Sequence, residues 1–318
     1  MTTPPVTLTC APCCWGVDDV NNPHLPPWEN VLDEAAAAGF GGLELGPYGY
    51  MPLTGTQVGD ALRARGLSIV AGTIFDNLVD SGNRDSLLRQ TREICAFITA
   101  LPPPPQHAGQ RFAAPFLTVM DWGHEARDFA AGHSARARRL DAAAWAGMVG
   151  NIRQIARIAR EEFGVRAVIH PHAGGHIEFA DEIAAITRDL APEEAGLCLD
   201  TGHLFYAGMD PVEALSRYWD RVDYIHFKDI DPQVFRTVMG EKIRFFDACA
   251  RGVMCPIGRG CIDYPAIHAL LRARGYGGYI TLEQERDPRN AGSTLEDLTA
   301  SRRYLDGCGF SPAPRLDT

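Results

Sequence analysis

Four short segments concentrate the side chains with the most chemical potential. They are His170-Pro-His172, Asp200-Thr-Gly-His203, His226-Phe-Lys228-Asp229 and Glu283-Gln-Glu285. Each follows an apolar, β-rich run, so each sits where a strand ends. Taken singly, a strand-end histidine reads as a hydrogen-bonded rim group, and Asp200 before Thr-Gly reads as the cap of a turn. Four such ends in succession, each delivering an imidazole or a carboxylate, read instead as one site. Imidazole and carboxylate together suit a divalent transition ion such as Mn²⁺, Co²⁺, Fe²⁺ or Zn²⁺. Magnesium or calcium would favour oxygen ligands alone. Glu283 closes a Tyr-Ile-Thr-Leu run, where an unpaired carboxylate is costly to bury. The spacing His170-x-His172 puts both rings on one side of an extended chain and leaves open which of them meets an ion.

The elements that must position these groups follow from periodicity. β-rich runs lie at 6–10, 41–45, 67–72, 116–120, 166–170, 196–200, 222–227 and 278–283. Amphipathic helical patterns fill the gaps, at 28–38, 55–65, 85–100, 142–162, 179–189, 211–219 and 264–274. Within 142–162, Trp145, Met148, Val149, Ile152, Ile155, Ala156 and Ala159 recur at helical spacing and form one buried stripe. Eight strand–helix alternations without a composition break predict a single α/β domain over 1–318, a (β/α)8 barrel. In such a barrel the active site lies at the C-terminal ends of the strands. A doubly wound dinucleotide fold is disfavoured, because no Gly-x-Gly-x-x-Gly follows the first run. Gly258-Arg-Gly260 comes too late and reads as a turn ahead of a helix capped by Asp263. The stretch 231–263 is a long excursion after strand 7. Its Phe235, Val238, Met239, Phe245 and Phe246 need burial, which predicts a cover over the strand mouth. The tail 311–318 is expected to fray.

Composition narrows the class. The chain has 318 residues, 46% hydrophobic and 22% charged, with 30 basic against 40 acidic side chains and a net charge of −10. Its pI is near 5.5. This acidic balance, with no Lys/Arg cluster, argues against a nucleic-acid partner. No apolar run reaches the length of a membrane span, which argues against a membrane partner, and the N-terminus lacks a basic, then apolar, leader. Nine cysteines at irregular spacing argue against a disulfide framework and for a reducing cytoplasm. Cys10-Ala-Pro-Cys13 has no matching pair elsewhere, so a structural zinc is not expected from it. Arg259 and Arg286 are the evident anion binders near the mouth, which favours a neutral substrate over a phosphorylated one. Trp15 and Glu44 follow strands 1 and 2 toward the same rim, where an indole offers a face to a sugar ring.

Several segments carry a family resemblance. Gly196-Leu-Cys-Leu-Asp-Thr-Gly-His203, Tyr224-Ile-His-Phe-Lys-Asp229 and Tyr279-Ile-Thr-Leu-Glu-Gln-Glu285 resemble the xylose-isomerase-like TIM-barrel superfamily of sugar isomerases and epimerases. Cys14-Trp-Gly-Val-Asp18, Gly39-Phe-Gly-Gly-Leu-Glu-Leu-Gly46, His170-Pro-His-Ala-Gly174 and Pro256-Ile-Gly-Arg-Gly-Cys-Ile-Asp263 are most similar to its myo-inosose dehydratases. The resemblance covers about 6–306. It implies one divalent metal ion held by His170, Asp200, His226 and Glu283. The epimerases carry glutamate where this chain has His170, a departure that weakens the epimerase expectation.

The implied reaction is loss of water from 2-keto-myo-inositol or a related keto-polyol through an enediolate. His172, His203, Lys228 and Glu285 are the candidates for proton transfer, with Trp15, Glu44 and His203 toward substrate. Lys228 pairing with Asp229, and Glu285 bracing a ligand, are the competing readings. Glu285 should lie about 6–7 Å beyond Glu283 along an extended strand, too far to share one ion. The alternatives are a ketose isomerase or epimerase, a lyase acting on a 3-keto-glycoside, an apurinic-site endonuclease of the same barrel, and a non-catalytic sugar-binding barrel. A homodimer or homotetramer is expected from the superfamily.

Overall fold

A computed structural model describes residues 4–310, so the tail expected to fray lies outside the described residues. Eight parallel strands close into a barrel. They are β1 (Val6–Cys10), β2 (Leu43–Glu44), β3 (Ile69–Asp76), β4 (Phe116–Asp121), β5 (Arg166–Ile169), β6 (Gly196–Asp200), β7 (Val222–Phe227) and β10 (Gly278–Leu282). The order around the barrel is β1-β10-β7-β6-β5-β4-β3-β2. The first and last strands close it over five residue pairs, from Val6–Gly278 to Cys10–Leu282. The remaining two strands, β8 (Asp229–Ile230) and β9 (Met254–Cys255), form a small antiparallel ribbon inside the excursion.

Burial explains the alternation read from the sequence. Inside the barrel, Val70, Phe116, Val168, Cys198, Tyr224 and Tyr279 form one cluster. Phe116 of β4 stacks on Tyr224 of β7 with centroids 5.0 Å apart, a contact made across the interior because those strands are not neighbours. A larger core lies between strands and helices. The helix Ala142–Phe163 contributes its expected stripe there, starts at an Asp141 cap bonded to the Ala144 N–H (2.9 Å), and ends on left-handed Gly164 (φ 70°).

The excursion folds as two helices, Pro232–Glu241 and Phe245–Ala250, around a separate apolar cluster with Phe245, Val238, Val253 and Tyr206. Its root is fixed by Asp229, whose carboxylate accepts the N–H groups of Gly258 (2.8 Å), Gly260 (3.1 Å) and Ile262 (3.1 Å). A Cβ at Gly260 would fall 2.1 Å from that carboxylate, which explains the glycine. Asp263 caps the next helix through the Ala266 N–H (2.9 Å). Phe245 packs on His172 and His203 (centroids 5.1 and 5.2 Å), so the excursion does cover the C-terminal mouth.

The two helices of the excursion went unread, and so did others. Thr201–Tyr206 forms where a turn was expected, and Thr294–Gly307 closes the chain against the barrel. Among the described residues no helix is long and apolar enough to cross a membrane.

Candidate active site

The ends of β5, β6, β7 and β10 bring His170, Asp200, His226 and Glu283 together, with one ligand atom from each within 4.8 Å of all the others. Local structure turns each atom inward. Asp200 caps the helix Thr201–Tyr206: Oδ1 accepts the His203 N–H (2.8 Å), while Oδ2 is left to the site. His226 gives Nε2 to Glu44 Oε1 (2.7 Å), which turns Nδ1 toward Glu283 (3.2 Å). His170 is 1% exposed, and its Nε2 lies 3.9 Å from Asp200 Oδ2. Both nitrogens of His170, Asp200 Oδ2 and His226 Nδ1 are buried with no hydrogen-bond partner. Buried polar atoms are rarely left so. One nitrogen of His170, Asp200 Oδ2 and His226 Nδ1, together with Glu283, fit a divalent ion bound by nitrogen and oxygen.

A second group lies beside the first. His172, His203 and Glu285 also place one atom each within 4.8 Å of the others. Buried Lys228 joins the two groups: its ammonium bonds Glu285 Oε1 and lies 2.9 Å from His203 Nε2, 3.1 Å from Glu283 and 3.6 Å from Asp200. Burial opposes charging of Lys228, but Asp200, Glu285 and Glu283 push it well above the usual lysine range. His172 and His203 go the other way. Burial first, then His203 and His170 around His172, and Lys228 around His203, hold both rings well below the ordinary histidine value.

Two neutral imidazoles therefore face each other (centroids 4.1 Å). His172 Nδ1 lies 2.9 Å from the Ala173 carbonyl, to which it must donate, leaving a lone pair on Nε2. His203 faces a donor at each nitrogen, the Ala173 N–H at Nδ1 (3.2 Å) and the Lys228 ammonium at Nε2 (2.9 Å).

Some expectations need correction. Trp15 does not reach the site. It is 1% exposed in the core and bonds Glu34 (2.7 Å), because a 3-10 turn at Pro12–Trp15 folds it back toward the helix Trp28–Ala37. Glu44 lines the inner cavity, yet its carboxylate is engaged by His226 and by the Tyr224 hydroxyl (2.8 Å). Glu283 and Glu285 are closer than extended spacing predicted, since β10 stops at Leu282. Both reach Lys228, and both come within 4.8 Å of Cys13. Lys228 faces the site while Asp229 faces the excursion, so they are not partners. Arg259 and Arg286 are both paired with Asp297 (3.7 and 3.1 Å) rather than free for an anion.

Asp18 was missed as a site residue. It follows left-handed Gly16 and lines both chambers of the mouth, an inner one of about 300 Å³ and an outer one of about 800 Å³. Burial, then Glu285 and Glu283, raise its carboxyl well above the usual range. Nothing in its spacing marks it; only the glycine two residues before hints at a chain turned to the rim. Phe75 and Phe246 stand with it between the chambers.

The model of the xylose isomerase-like TIM barrel family matches residues 32–306. The chain belongs to that family. Among its relatives, the inosose dehydratase of Geobacillus thermodenitrificans is 27% identical over 310 residues, 96% of this chain and 98% of that protein. The inosose dehydratase of Geobacillus kaustophilus is 40% identical over 151 residues, 48% of this chain and 49% of that protein. Among solved structures, the IolI protein with a bound zinc atom superposes with a TM-score of 0.68 at 12% identity, over 94% of this chain and 97% of that one. At that identity the likeness shows the barrel and no more.

Proposed function

We propose that this member of the xylose isomerase-like family is a divalent-metal-dependent hydro-lyase that removes water from 2-keto-myo-inositol or a related keto-polyol. The observation that carries the reading is the pairing of two constellations at one rim. His170, Asp200 and His226 present unpartnered atoms beside the Glu283 carboxylate, and His172, His203, Lys228 and Glu285 stand ready for proton transfer next to them. The names of the relatives support the substrate. The inner chamber of about 300 Å³ suits a single polyol ring.

When bound, a divalent ion supplies electrophilic polarisation of the substrate carbonyl. The protein's own groups do the rest. His172, neutral and with its Nε2 lone pair free, takes the proton α to the ketone. Glu285 lines the chamber and shares a proton with the Lys228 ammonium behind it, so it faces the departing β-hydroxyl and hands that proton over. His203 stands beside it, its Nε2 2.9 Å from the same ammonium, and positions that proton. Asp18, its carboxyl pushed upward by burial and by Glu285 and Glu283, bonds a substrate hydroxyl. Phe245 and Phe246 of the excursion keep bulk water from the exchanging proton. Nine free cysteines support a reducing cytoplasm as the place where this happens, and the superfamily supports a homodimer or homotetramer.

The outer chamber supports a second reading, loss of an aglycone from a 3-keto-glycoside, because it offers room for a second ring. One experiment separates the outcomes: a panel of keto-inositols, ketoses and keto-glycosides, incubated with metal-restored protein and followed by mass. Loss of one water from a keto-inositol supports the dehydratase, an unchanged mass with altered configuration supports an epimerase, and a released aglycone supports the second reading.

A further inference from the structure

A separate cluster of metal-type ligands lies at the end of β4 and on the loops after β4 and β5. Asp121, His124 and His176 place one ligand atom each within 4.8 Å of the others. None of the three lines either chamber of the mouth, and none belongs to the group around His170.

The carboxylate of Asp121 is fixed before either ring touches it. Oδ1 accepts the Leu78 N–H (3.0 Å) and Oδ2 accepts the His176 N–H (2.7 Å). Outer-shell donors hold metal-binding carboxylates in this way. Each oxygen keeps a second lone pair, and each meets an imidazole nitrogen from a different loop: His124 Nε2 at 2.9 Å from Oδ1, His176 Nδ1 at 3.1 Å from Oδ2. The two rings stand edge to face, 4.2 Å apart and at 80°. Bonds of about 2.0–2.2 Å in a tetrahedron put neighbouring ligand atoms about 3.3–3.5 Å apart, so the rings need withdraw by only a few tenths of an ångström.

Access and rigidity are also right. The His124 and His176 side chains are 13% and 11% exposed, which leaves a way in and an open position for water. The loops are already pressed together, since a Cβ on Gly175 would lie 2.4 Å from the Asp121 carbonyl oxygen. We propose that Asp121, His124 and His176 form a second metal site, for Zn²⁺, with water as the fourth ligand. In that state each neutral ring carries its proton on the nitrogen remote from the carboxylate. The ion pins the β4 loop to the β5 loop that carries His172, so its role is to hold that catalytic loop in place.

The test counts metal. Full-length protein is stripped with chelator, equilibrated with Zn²⁺ alone and analysed by elemental mass spectrometry as wild type, His124→Gln and the double variant Asp200→Asn/Glu283→Gln. Two equivalents are expected in the wild type and one in each variant, with the remaining zinc of the double variant raising its melting temperature. One equivalent in the wild type, retained in His124→Gln and lost in the double variant, overturns the proposal and leaves the site at His170 intact. Should His124→Gln fail to fold, the double variant decides alone: no zinc uptake there means that Asp121 is held by hydrogen bonds only.

Discussion

Glu44 and His226 are joined by a 2.7 Å hydrogen bond across the barrel interior, from Nε2 of the ring to Oε1 of the carboxylate. Their Cα atoms belong to β2 and β7, which are not adjacent in the barrel. The bond fixes the tautomer of His226 and points its unpartnered Nδ1 at the site. Glu44, expected to bind substrate, is thus better placed to orient a ligand.

Removing that brace should weaken metal binding without emptying the site. Losing such partners typically costs about 10–100-fold in metal affinity. Glu44→Ala should therefore lose affinity on that scale in competition with a calibrated chelator. An unchanged affinity would return Glu44 to direct contact with substrate.

Asp200→Asn and Glu283→Gln should each bind one divalent ion fewer than the wild type. Both carboxylates are held ionised against their burial, chiefly by Lys228 and His170 at Asp200 and by His226 and Lys228 at Glu283. Elemental analysis reads the outcome, and full occupancy in both variants would remove them from the ligand set.

His172→Ala and Glu285→Gln should lower turnover by about 10²–10⁴-fold, the usual contribution of a positioned acid or base, with metal content unchanged. Loss of metal in either would move that residue into the ligand set. Near-normal turnover with metal retained would make it a packing residue.

The barrel was legible because both of its signals are local. Runs such as Val6–Cys10 and Gly196–Asp200 are short, apolar and bounded, and helices such as Gly55–Arg65 and Tyr264–Arg274 end on glycines. The four ligand candidates were legible for the same reason, since each ends a strand and strand ends share a rim. What was not legible depends on turns and on distant partners. Trp15 sits five residues beyond Cys10, and one 3-10 turn reverses its direction. Asp18 reaches the site only because Gly16 takes a left-handed conformation. The helix Thr294–Gly307 buries little beyond Thr294, Leu298, Ser301 and Leu305, too sparse a stripe to read. The orientations of His172 and His203 depend on one backbone unit, Ala173, that no side-chain pattern reveals.

Stability should be sensitive to Arg127, which is 2% exposed and bonds both oxygens of Glu182 (2.7 and 3.0 Å). Glu178 lies 3.5 Å from it and accepts the Gly174 N–H (3.0 Å) in the loop after β5. Removing one partner of a buried pair leaves the other uncompensated. Arg127→Met should therefore cost about 3–5 kcal/mol in denaturant unfolding. A loss below about 1 kcal/mol would show that the pair is dispensable.

The most direct test is the mass of the product formed from 2-keto-myo-inositol by chelated protein, before and after a divalent ion is restored. The account predicts no change before, and loss of one water after restoration in the wild type but not in Asp200→Asn. Loss of water by fully chelated protein, or by Asp200→Asn as fast as by wild type, would contradict it.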